Sequence, residues 1–431
     1  MTLFSGQRRA VRDPSAVRAL AAGSVGNFIE WYEFGVYGCF ATVIAARFFT
    51  PEGGSEVEAL VRTYASFALA FFFRPVGAAL FGRLGDRIGR RPVLVLVVVL
   101  MTVATTLIGT LPTYAAVGGL APWLLTLLRV LQGLSAGGEF GGAVAVMTEF
   151  APPGRRGLYG SWQSFTVALG LLGGAGVAAL SATLLTERQL GDWGWRVPFL
   201  LTLPLGLAAL WLRLRLAETP AFRREAESVR LPPGEVAGAI ALGAARIMGW
   251  AAAGYTFLVV LPSYLQSTLG AGFQQALVAT VLANLGFAVT IVPAGLLSDR
   301  VGRRAVMLTG ALLVVFLSLP LLNLLQDPGL SNTVKGAAVF GAGAVVGLMA
   351  GPGPAMLSEL FPTNVRCTGL GLAYALSNAV FSGCAGLIIT ETVKRTGSVD
   401  IPGYYAAATC AVSALALARA PKRKAGWIGC G

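Results

Sequence analysis

The chain has few charged side chains and no histidine at all. Of its 431 residues, 12% are charged and 55% are hydrophobic, and the mean hydropathy is +0.71. Because about a quarter of the residues in soluble domains are charged, this composition excludes a soluble globular protein. Residues 92–119 and 305–326 carry no charge, and each stretch is long enough to cross ~30 Å of hydrocarbon as a helix.

The missing residues also exclude several kinds of chemistry. There is no histidine and no CxxC pair among the five cysteines, so we expect neither a metal site nor a disulfide framework. The chain also lacks the G-x4-G-K-[ST] sequence of nucleotide-binding loops. We therefore predict a protein without metal or cofactor that is not an enzyme and that takes its energy from an ion gradient.

Apolar segments follow one another along the whole chain. About twelve are long enough to be transmembrane helices, and they cover residues 20–48, 60–82, 93–111, 120–147, 158–185, 195–212, 236–265, 273–297, 305–325, 333–357, 368–391 and 401–418. The predicted fold class is an all-α membrane protein with about twelve transmembrane helices. An even number of spans places both termini on one side of the membrane.

The basic residues form short clusters between the apolar runs. The N-terminal tail, the loops after even-numbered spans and the C-terminus hold 23 Lys and Arg, whereas the opposite loops hold six. This positive-inside bias predicts that both termini are cytoplasmic in a cell membrane. Although the net charge is +13, the charges form no stripe on a soluble domain, so we expect no nucleic-acid partner.

Two loop sequences occur twice. GRLGDRIGRRPVL at 82–94 returns as GLLSDRVGRRAVM at 295–307, and EFAPPGRR at 149–156 is echoed by ELFPTNVR at 359–366. The chain therefore reads as a duplicated six-span unit. We predict a cytoplasmic tail at 1–19, a six-helix bundle at 20–212, a cytoplasmic linker at 213–235, a second, pseudo-symmetric six-helix bundle at 236–418 and a basic tail at 419–431.

These motifs carry a family resemblance. Together with RVLQGLSAG at 129–137, the repeated loops resemble the major facilitator superfamily. GNFIEWYEFGVYG at 26–38, QGLSAGGEFGGA at 132–143 and GWRVPF at 194–199 resemble its metabolite:proton symporters, which include α-ketoglutarate, citrate, shikimate and proline/betaine carriers. The resemblance implies two bundles around a central polar site that opens alternately to each side.

Ionisable residues inside the spans are candidate functional residues, because burying one costs at least ~2.5 kcal/mol. Asn27, Glu30 and Glu33 share one face of the first span. Arg129 and Gln132 share a face of the fourth, together with Ser135 and Glu139. Counted from the outer boundary, Arg129 lies ~14 Å deep and Glu33 ~20 Å deep, so we expect these two to meet, with Glu30 as the second choice.

The candidate proton carriers are carboxylates, because the usual near-neutral carrier, histidine, is absent. We rank Glu33 first, then Glu30, then Glu139. Glu139 lies near the cytoplasmic end of its helix, so it could instead organise the loop at Asp86. The structural alternative is that these charges only hold helices together.

The candidate substrate-binding residues are Arg129, Arg246, Asn27, Gln132 and Tyr255. Arg246 has no acidic partner at its depth, so the carboxylate of a solute could neutralise its charge through a bidentate contact. Alternatively, it snorkels to the cytoplasmic interface. Weaker candidates for contacts are Tyr264, Trp31, Tyr32, Gln163, Asn284 and Asn378.

The repeated loops are predicted to be gates. Acidic and basic residues at the ends of adjacent helices can pair and so stabilise one closed state of the gate. The alternative is that the basic residues serve only to orient the protein in the membrane. The gating residues are Gly82, Asp86, Arg87, Gly89, Arg90 and Arg91 in the first copy and Asp299, Arg300, Gly302, Arg303 and Arg304 in the second.

The function that these features predict is secondary active transport. The resemblance implies proton-coupled symport of a small carboxylate-bearing metabolite, either an organic acid such as α-ketoglutarate or a proline/betaine-type zwitterion. The alternative is a proton-driven antiporter that exports a metabolite or drug. GLLGGAGVAAL at 170–180 lacks the Gly-Pro pair that resembles the antiporter signature, which favours symport. The expected partners are the solute, protons and the lipid bilayer, and the chain is expected to be a monomer.

Overall fold

The computed structural model describes residues 14–50, 55–88, 90–149, 151–152, 154–215, 232–361 and 365–419. Within these ranges, side chains are not described at 14–23, 83, 85–88, 90–91, 146, 149 and 233. The described residues form helices and turns without a strand, as the composition predicts. Eleven helical segments are long and apolar enough to cross a membrane, and the helix that precedes them brings the number of spans to twelve.

We number the spans α1 to α12 in chain order. They are Pro14–Cys39, Glu56–Ile88, Arg90–Thr110, Leu120–Glu149, Arg156–Leu184, Gly194–Leu214, Gly234–Ser267, Phe273–Val301, Arg303–Gln326, Asn332–Ser358, Arg366–Thr396 and Ile401–Ala418. The helix boundaries differ from the predicted ones by a few residues. The largest difference is at α1, which begins at Pro14, inside the predicted tail, and ends at Cys39 rather than at residue 48.

Glycines let neighbouring helices of each half approach at the backbone. A Cβ at Gly133 or Gly137 of α4 would collide with the carbonyl oxygen of Ala70 or Arg74 on α2. In the second half, a Cβ at Gly343 of α10 would collide with the backbone of α8 in the same way. Close contact of small residues drives helix association in lipid, where the hydrophobic effect between helices is absent. The duplicated sequence thus builds the same packing in both halves.

Three single turns of π-helix lie within or next to the spans. Ala45–Phe49 follows α1, Thr256–Val260 lies within α7 and Asn378–Ser382 lies within α11. A π turn inserts an extra residue and is frequent at functional sites. The turns in α7 and α11 both contribute residues to the wall between the two halves, where a central cavity lies.

The two faces of the molecule differ. On the face opposite the chain ends, a cavity of about 1150 Å³ opens between the halves. The residues after α1, the start of α2, the ends of α5 and α7 and the start of α8 line it, for example Thr42, Arg47, Glu56, Gln266 and Phe273. We call this space the vestibule. On the face that carries the chain ends, α5 and α8 pack together through Gly157, Ser161, Gly295 and Ser298.

The connection between the halves is shorter than predicted. The sixth span ends at Leu214 and a helix begins at Pro233, so Arg213, predicted to begin the linker, belongs to α6 and is 1% exposed. Most of the predicted linker, 216–231, and the C-terminal tail from 420 lie outside the described residues.

Candidate substrate and proton site

Glu33 of α1 and Arg129 of α4 form a fully buried ion pair. Arg129 Nη1 donates to Glu33 Oε1 at 2.9 Å, and neither side chain is exposed. Thr105 of α3 donates to Glu33 Oε2 at 2.7 Å, and Arg129 also donates to Gln132 Oε1 at 2.7 Å. Gln132 in turn donates to Thr105 at 3.0 Å, which closes a network within the first half. The contact expected from the depths of Glu33 and Arg129 is therefore present.

Glu30, almost one turn earlier on α1, pairs with Arg74 of α2. Arg74 Nη2 lies 3.1 Å from Glu30 Oε1, and the two side chains are 2% and 6% exposed, respectively. The guanidinium carbon lies 4.1 Å from the ring centre of Phe71 and 4.5 Å from that of Phe34. Aromatic faces attract such a cation, particularly where it is desolvated. This second pair lies closer to the other half than the Glu33 network does.

Arg74 is a site residue that the sequence reasoning missed. It is the one charge between residues 63 and 82, and it lies in the middle of the second apolar span just before Pro75. It belongs to neither of the loop groups used for the topology count. The sequence did contain a signal for this role, which is the position of Arg74 deep within an apolar span. An uncompensated arginine there must find a carboxylate on a neighbouring helix.

A third buried pair lies nearer to the face that carries the chain ends. Arg213 of α6 donates to Glu139 of α4, and its Nη1 donates to the carbonyl of Leu94 at 2.6 Å. Gly26 of α1 has no side chain and so makes room for this pair, because a Cβ there would collide with both side chains. The sequence offered a second role for Glu139, which was to organise the loop at Asp86. The side chain of Asp86 lies outside the described residues. The partner that the structure gives to Glu139 is Arg213.

A small cavity of about 30 Å³ lies between the two halves, at the level of these pairs. Its wall is mainly aromatic and includes Trp31 from α1, Trp250 and Tyr255 from α7, Phe287 from α8 and Tyr374 from α11. The cavity has room for about one water molecule. Among the described residues, the centre of the interface thus leaves little free space, whereas the vestibule is open on one face.

Aromatic contacts cross the interface around this cavity. The Tyr255 ring lies 5.2 Å from that of Phe71 and 5.9 Å from that of Trp31. On the side of the chain ends, Phe140 of α4 stacks on Tyr374 at 3.5 Å. The hydroxyl of Tyr255 is buried without a hydrogen-bond partner among the described residues. A buried hydroxyl normally has a partner, so this group is free to bind a ligand.

Most of the remaining polar candidates form hydrogen bonds within the protein. Asn27 donates to Thr166 at 2.7 Å and to the carbonyl of Gln163 at 3.1 Å, so it joins α1 to α5. The cavity wall includes Trp31, Tyr255 and Asn378 but not Asn27, Gln132, Tyr32, Gln163, Tyr264 or Asn284. Sequence alone could not separate these groups, because it does not show how each helix is rotated.

Arg246 lies away from the cavity. Its Nε and Nη2 donate to the carbonyls of Ala416 and Arg419 at 3.4 and 3.3 Å, at the C-terminal end of α12. Carbonyls at a helix C-terminus have no partner within the helix and attract cations. This placement differs from the predicted mid-depth position and supports the interface alternative over a substrate anchor.

The second copy of the repeated loop joins the two halves. Asp299 accepts hydrogen bonds at 2.9 Å from the backbone N–H groups of Gly157 and Leu158, in the first turn of α5. Arg303 pairs with Asp299 at 2.6 Å and with Glu359 at 3.4 Å.

The other residues of the predicted gate play lesser parts in this contact. Gly302 has φ +96°, which favours glycine, and allows the tight turn between α8 and α9. Arg304 donates to the carbonyl of Ala418, and Arg300 is exposed. In the first copy, a Cβ at Gly82 would meet nothing, whereas Gly89 and the side chains of Asp86, Arg87, Arg90 and Arg91 lie outside the described residues.

Comparison with known proteins is consistent with this architecture. The family model for sugar (and other) transporters matches residues 19–230, and that of the major facilitator superfamily matches residues 241–428. The chain is 33% identical over 413 residues to the proline/betaine transporter of Escherichia coli K12, covering 92% of this chain and 81% of that one. The chain belongs to the major facilitator superfamily. It is therefore a multi-pass cell-membrane transporter of small molecules and not an enzyme.

Other members of the superfamily are similar over most of their length. The chain is 33% identical to the glycine betaine/proline/ectoine/pipecolic acid transporter OusA of Dickeya dadantii, over 90% of this chain and 80% of that one. It is 36% identical to the α-ketoglutarate permease of E. coli K12, over 85% of each. Among solved structures, the proton:xylose symporter XylE has the same fold, with a TM-score of 0.76, 19% identity and 94% of each chain covered.

The first prediction concerns the Glu33–Arg129 pair. Glu33→Gln or Arg129→Gln alone should lower the thermal stability of the purified protein, because each leaves a buried charge uncompensated, at a cost of about 3–5 kcal/mol. The double variant should lose less than the sum of the two. As a control, Glu33→Gln combined with Arg213→Gln shares no contact and should be additive. Additivity in the Glu33–Arg129 cycle would contradict the pairing.

The second prediction concerns Arg246. Arg246→Lys should leave the half-saturation concentration for uptake unchanged, because lysine can reach the same carbonyl oxygens at the end of α12. Concentration-dependent uptake at matched amounts of protein measures this. A rise of about tenfold, as expected when a bidentate carboxylate contact is lost, would instead restore Arg246 as a substrate anchor.

Proposed function

We propose that the protein is a proton-coupled symporter that imports a small carboxylate-bearing zwitterion of the proline or betaine type. The observation that carries this proposal is the position of an aromatic-walled cavity beside two buried carboxylate–arginine pairs. Aromatic faces bind quaternary and other organic ammonium groups, and an arginine binds the carboxylate of the same solute. Several relatives are named as carriers of such zwitterions, which supports the assignment.

A zwitterion fits the charges of the site better than a dicarboxylate does. The residues that line the cavity in the described part of the chain include no charged side chain. A solute with two carboxylates needs a second cation, whereas a zwitterion brings its own and needs only one arginine and an aromatic surface. Organic acids remain the alternative substrate class, and the similarity to an α-ketoglutarate permease favours including them in the test.

Proton coupling is assigned to Glu33. The chain contains no histidine, so a buried carboxylate is the natural group to take up and release a proton within the membrane. When Glu33 is protonated, it no longer neutralises Arg129, and the network through Thr105 and Gln132 must rearrange. Occupancy by a proton thus changes the contacts that hold α1 to α3 and α4, which is what coupling to a rocking motion requires.

The orientation follows the charge rule. We place both termini in the cytoplasm, which makes the vestibule external and the Asp299 contact cytoplasmic. Solute from outside would enter the vestibule and reach the cavity after the contacts of Thr42 with Gln266 and of Tyr64 with Ser263 separate. A proton falling through 100 mV yields ~2.3 kcal/mol, which supports roughly fifty-fold accumulation.

The third prediction is the substrate profile. Proteoliposomes with an acidic exterior should accumulate labelled L-proline or glycine betaine, and this uptake should collapse when a protonophore is added. α-Ketoglutarate in the same panel tests the alternative substrate class, and D-xylose serves as the control without a carboxylate. Uptake that is unaffected by the proton gradient, or concentrative uptake of xylose alone, would overturn the proposal. Export driven by an acidic exterior would identify the antiporter alternative.

The fourth prediction separates coupling from binding. Glu33→Gln should abolish gradient-driven accumulation while solute exchange down its own gradient continues, because the amide cannot release a proton. The matched control is Glu391→Gln, which changes a carboxylate paired with Arg395 on the surface. It should accumulate solute like the original protein. Undiminished concentrative uptake by Glu33→Gln would remove Glu33 from the proton path.

A further inference from the structure

Arg74 has binding capacity that the protein does not use. It is 2% exposed, yet its Nε and Nη2 have no hydrogen-bond partner among the described residues, although Nη2 lies 3.1 Å from a Glu30 oxygen. Leaving donors of a buried cation unsatisfied is costly. A planar guanidinium offers two parallel donors that match a carboxylate. The fork of Arg74 is thus only partly occupied by Glu30.

The surroundings of Arg74 lead directly to the central cavity. Its guanidinium carbon lies 5.7 Å from the ring of Trp31, which lines the cavity, and 4.1 Å from the ring of Phe71. The Phe71 ring lies 5.2 Å from that of Tyr255, another cavity residue, which comes from the opposite half. Tyr255 also carries the buried hydroxyl without a partner. The second half therefore places an unsatisfied donor in the cavity wall, and the unsatisfied donors of Arg74 lie next to Trp31, which forms part of the wall in the first half.

The groups around Glu30 come from several helices. Those that face it electrostatically are Arg74 on α2, Glu139 on α4, Arg213 on α6, Glu33 on its own helix, Tyr255 on α7 and Tyr374 on α11. Arg74 is the nearest cation, and Arg213 is already paired with Glu139. Loss of the Arg74 contact would leave Glu30 beside two other carboxylates.

We propose that Arg74 binds the carboxylate of the transported solute and that Glu30 occupies this arginine when the solute is absent. The inference rests on the proposed function and adds its substrate-binding residue. The solute carboxylate displaces the Glu30 carboxylate from Arg74, and Glu30 then takes a proton from the vestibule side. The ammonium end of the solute lies against the aromatic wall of Trp31, Trp250 and Tyr255.

The charges balance in this exchange. Before binding, Arg74 and Glu30 together are neutral. After binding, the solute carboxylate neutralises Arg74 and protonated Glu30 is uncharged, so the one positive charge that the proton brought in is now carried by the solute ammonium, which lies against the aromatic wall. If Glu30 stayed ionised, it would lose its nearest cation while the solute ammonium lies against the aromatic wall, and a buried carboxylate without a close partner is strongly unfavourable. Solute binding is therefore linked to protonation of Glu30, while Glu33 remains the second protonatable carboxylate, whose protonation drives the rearrangement of α1, α3 and α4.

Arg129 is a poorer anchor for the same solute. Its partner Glu33 is held by two donors, Arg129 and Thr105, and Arg129 is shared with Gln132. None of the aromatic rings that it contacts lines the cavity, whereas Arg74 lies 5.7 Å from the ring of Trp31, which does. Displacing Glu33 would dismantle a closed network, whereas displacing Glu30 breaks one contact.

The fifth prediction is tested first with Arg74→Lys. Lysine keeps the charge but loses the two-donor fork, so the dissociation constant of the purified protein for L-proline or glycine betaine should rise about tenfold or more. Quenching of Trp31 and Trp250, which line the cavity, reports binding. The matched control is Arg196→Lys, which alters an arginine that donates to the carbonyls of Gly109 and Leu111 far from the cavity. Its dissociation constant should be unchanged.

Glu30→Gln provides the second arm and keeps the test valid if Arg74→Lys folds poorly. Solute binding to the original protein should tighten as the pH falls, because protonation of Glu30 frees Arg74. In Glu30→Gln the solute should bind more tightly at pH 8 than to the original protein, and the pH dependence should largely disappear. Glu33→Gln should retain it. Prolinamide, which lacks the carboxylate, should bind weakly to all of these proteins.

The outcomes separate this inference from the proposed function. If the original protein accumulates none of the carboxylate solutes, the proposed function itself fails. If the original protein transports them but Arg74→Lys keeps the original dissociation constant, the solute carboxylate binds elsewhere and the inference is wrong. Weaker solute binding by Glu30→Gln would also overturn it, because competition by Glu30 requires the opposite sign.

Discussion

A charge buried in the membrane must be neutralised by a nearby charge of opposite sign, and this constraint organises the first half of the protein. Removing an ion from water costs several kcal/mol, which a close, well-oriented partner can offset. Each buried carboxylate of this half meets an arginine from another helix, in the pairs Glu30–Arg74, Glu33–Arg129 and Glu139–Arg213. The pairs connect α1 to α2, α1 to α4 and α4 to α6. A change in protonation or solute occupancy at one pair therefore acts on helix packing.

The duplication copied the architecture but not the charges. Both halves pack their second and fourth helices through glycines, and both carry a similar loop sequence. In the described part of the second half, Arg246 is the buried charged side chain, and it serves the end of α12. The second half instead supplies the aromatic residues Trp250, Tyr255 and Tyr374 that cover the charged pairs. The first half thus holds the buried ion pairs, and the second half covers them with aromatic side chains.

The two faces of this interface are held by different interactions. On the face of the chain ends, Asp299 receives two hydrogen bonds from the positive end of α5, where the helix dipole favours a carboxylate. Separating the halves there costs both bonds at once. On the opposite face, side-chain contacts such as Thr42 with Gln266 lie below an open vestibule. Separating the halves on this face therefore breaks fewer strong interactions.

Sequence by itself determined the number of spans, the duplication and the approximate depth of Glu33 and Arg129, because these depend on hydrophobicity along one dimension. Depth was sufficient to bring Glu33 and Arg129 together. It could not show which helices are neighbours or how each is rotated, since both depend on packing in three dimensions. For that reason the roles of Arg74 and Arg213, and the position of Arg246 at the end of α12, were decided only by the tertiary structure. The cavity between the halves likewise exists only once Trp31 and Tyr255 face each other across the interface.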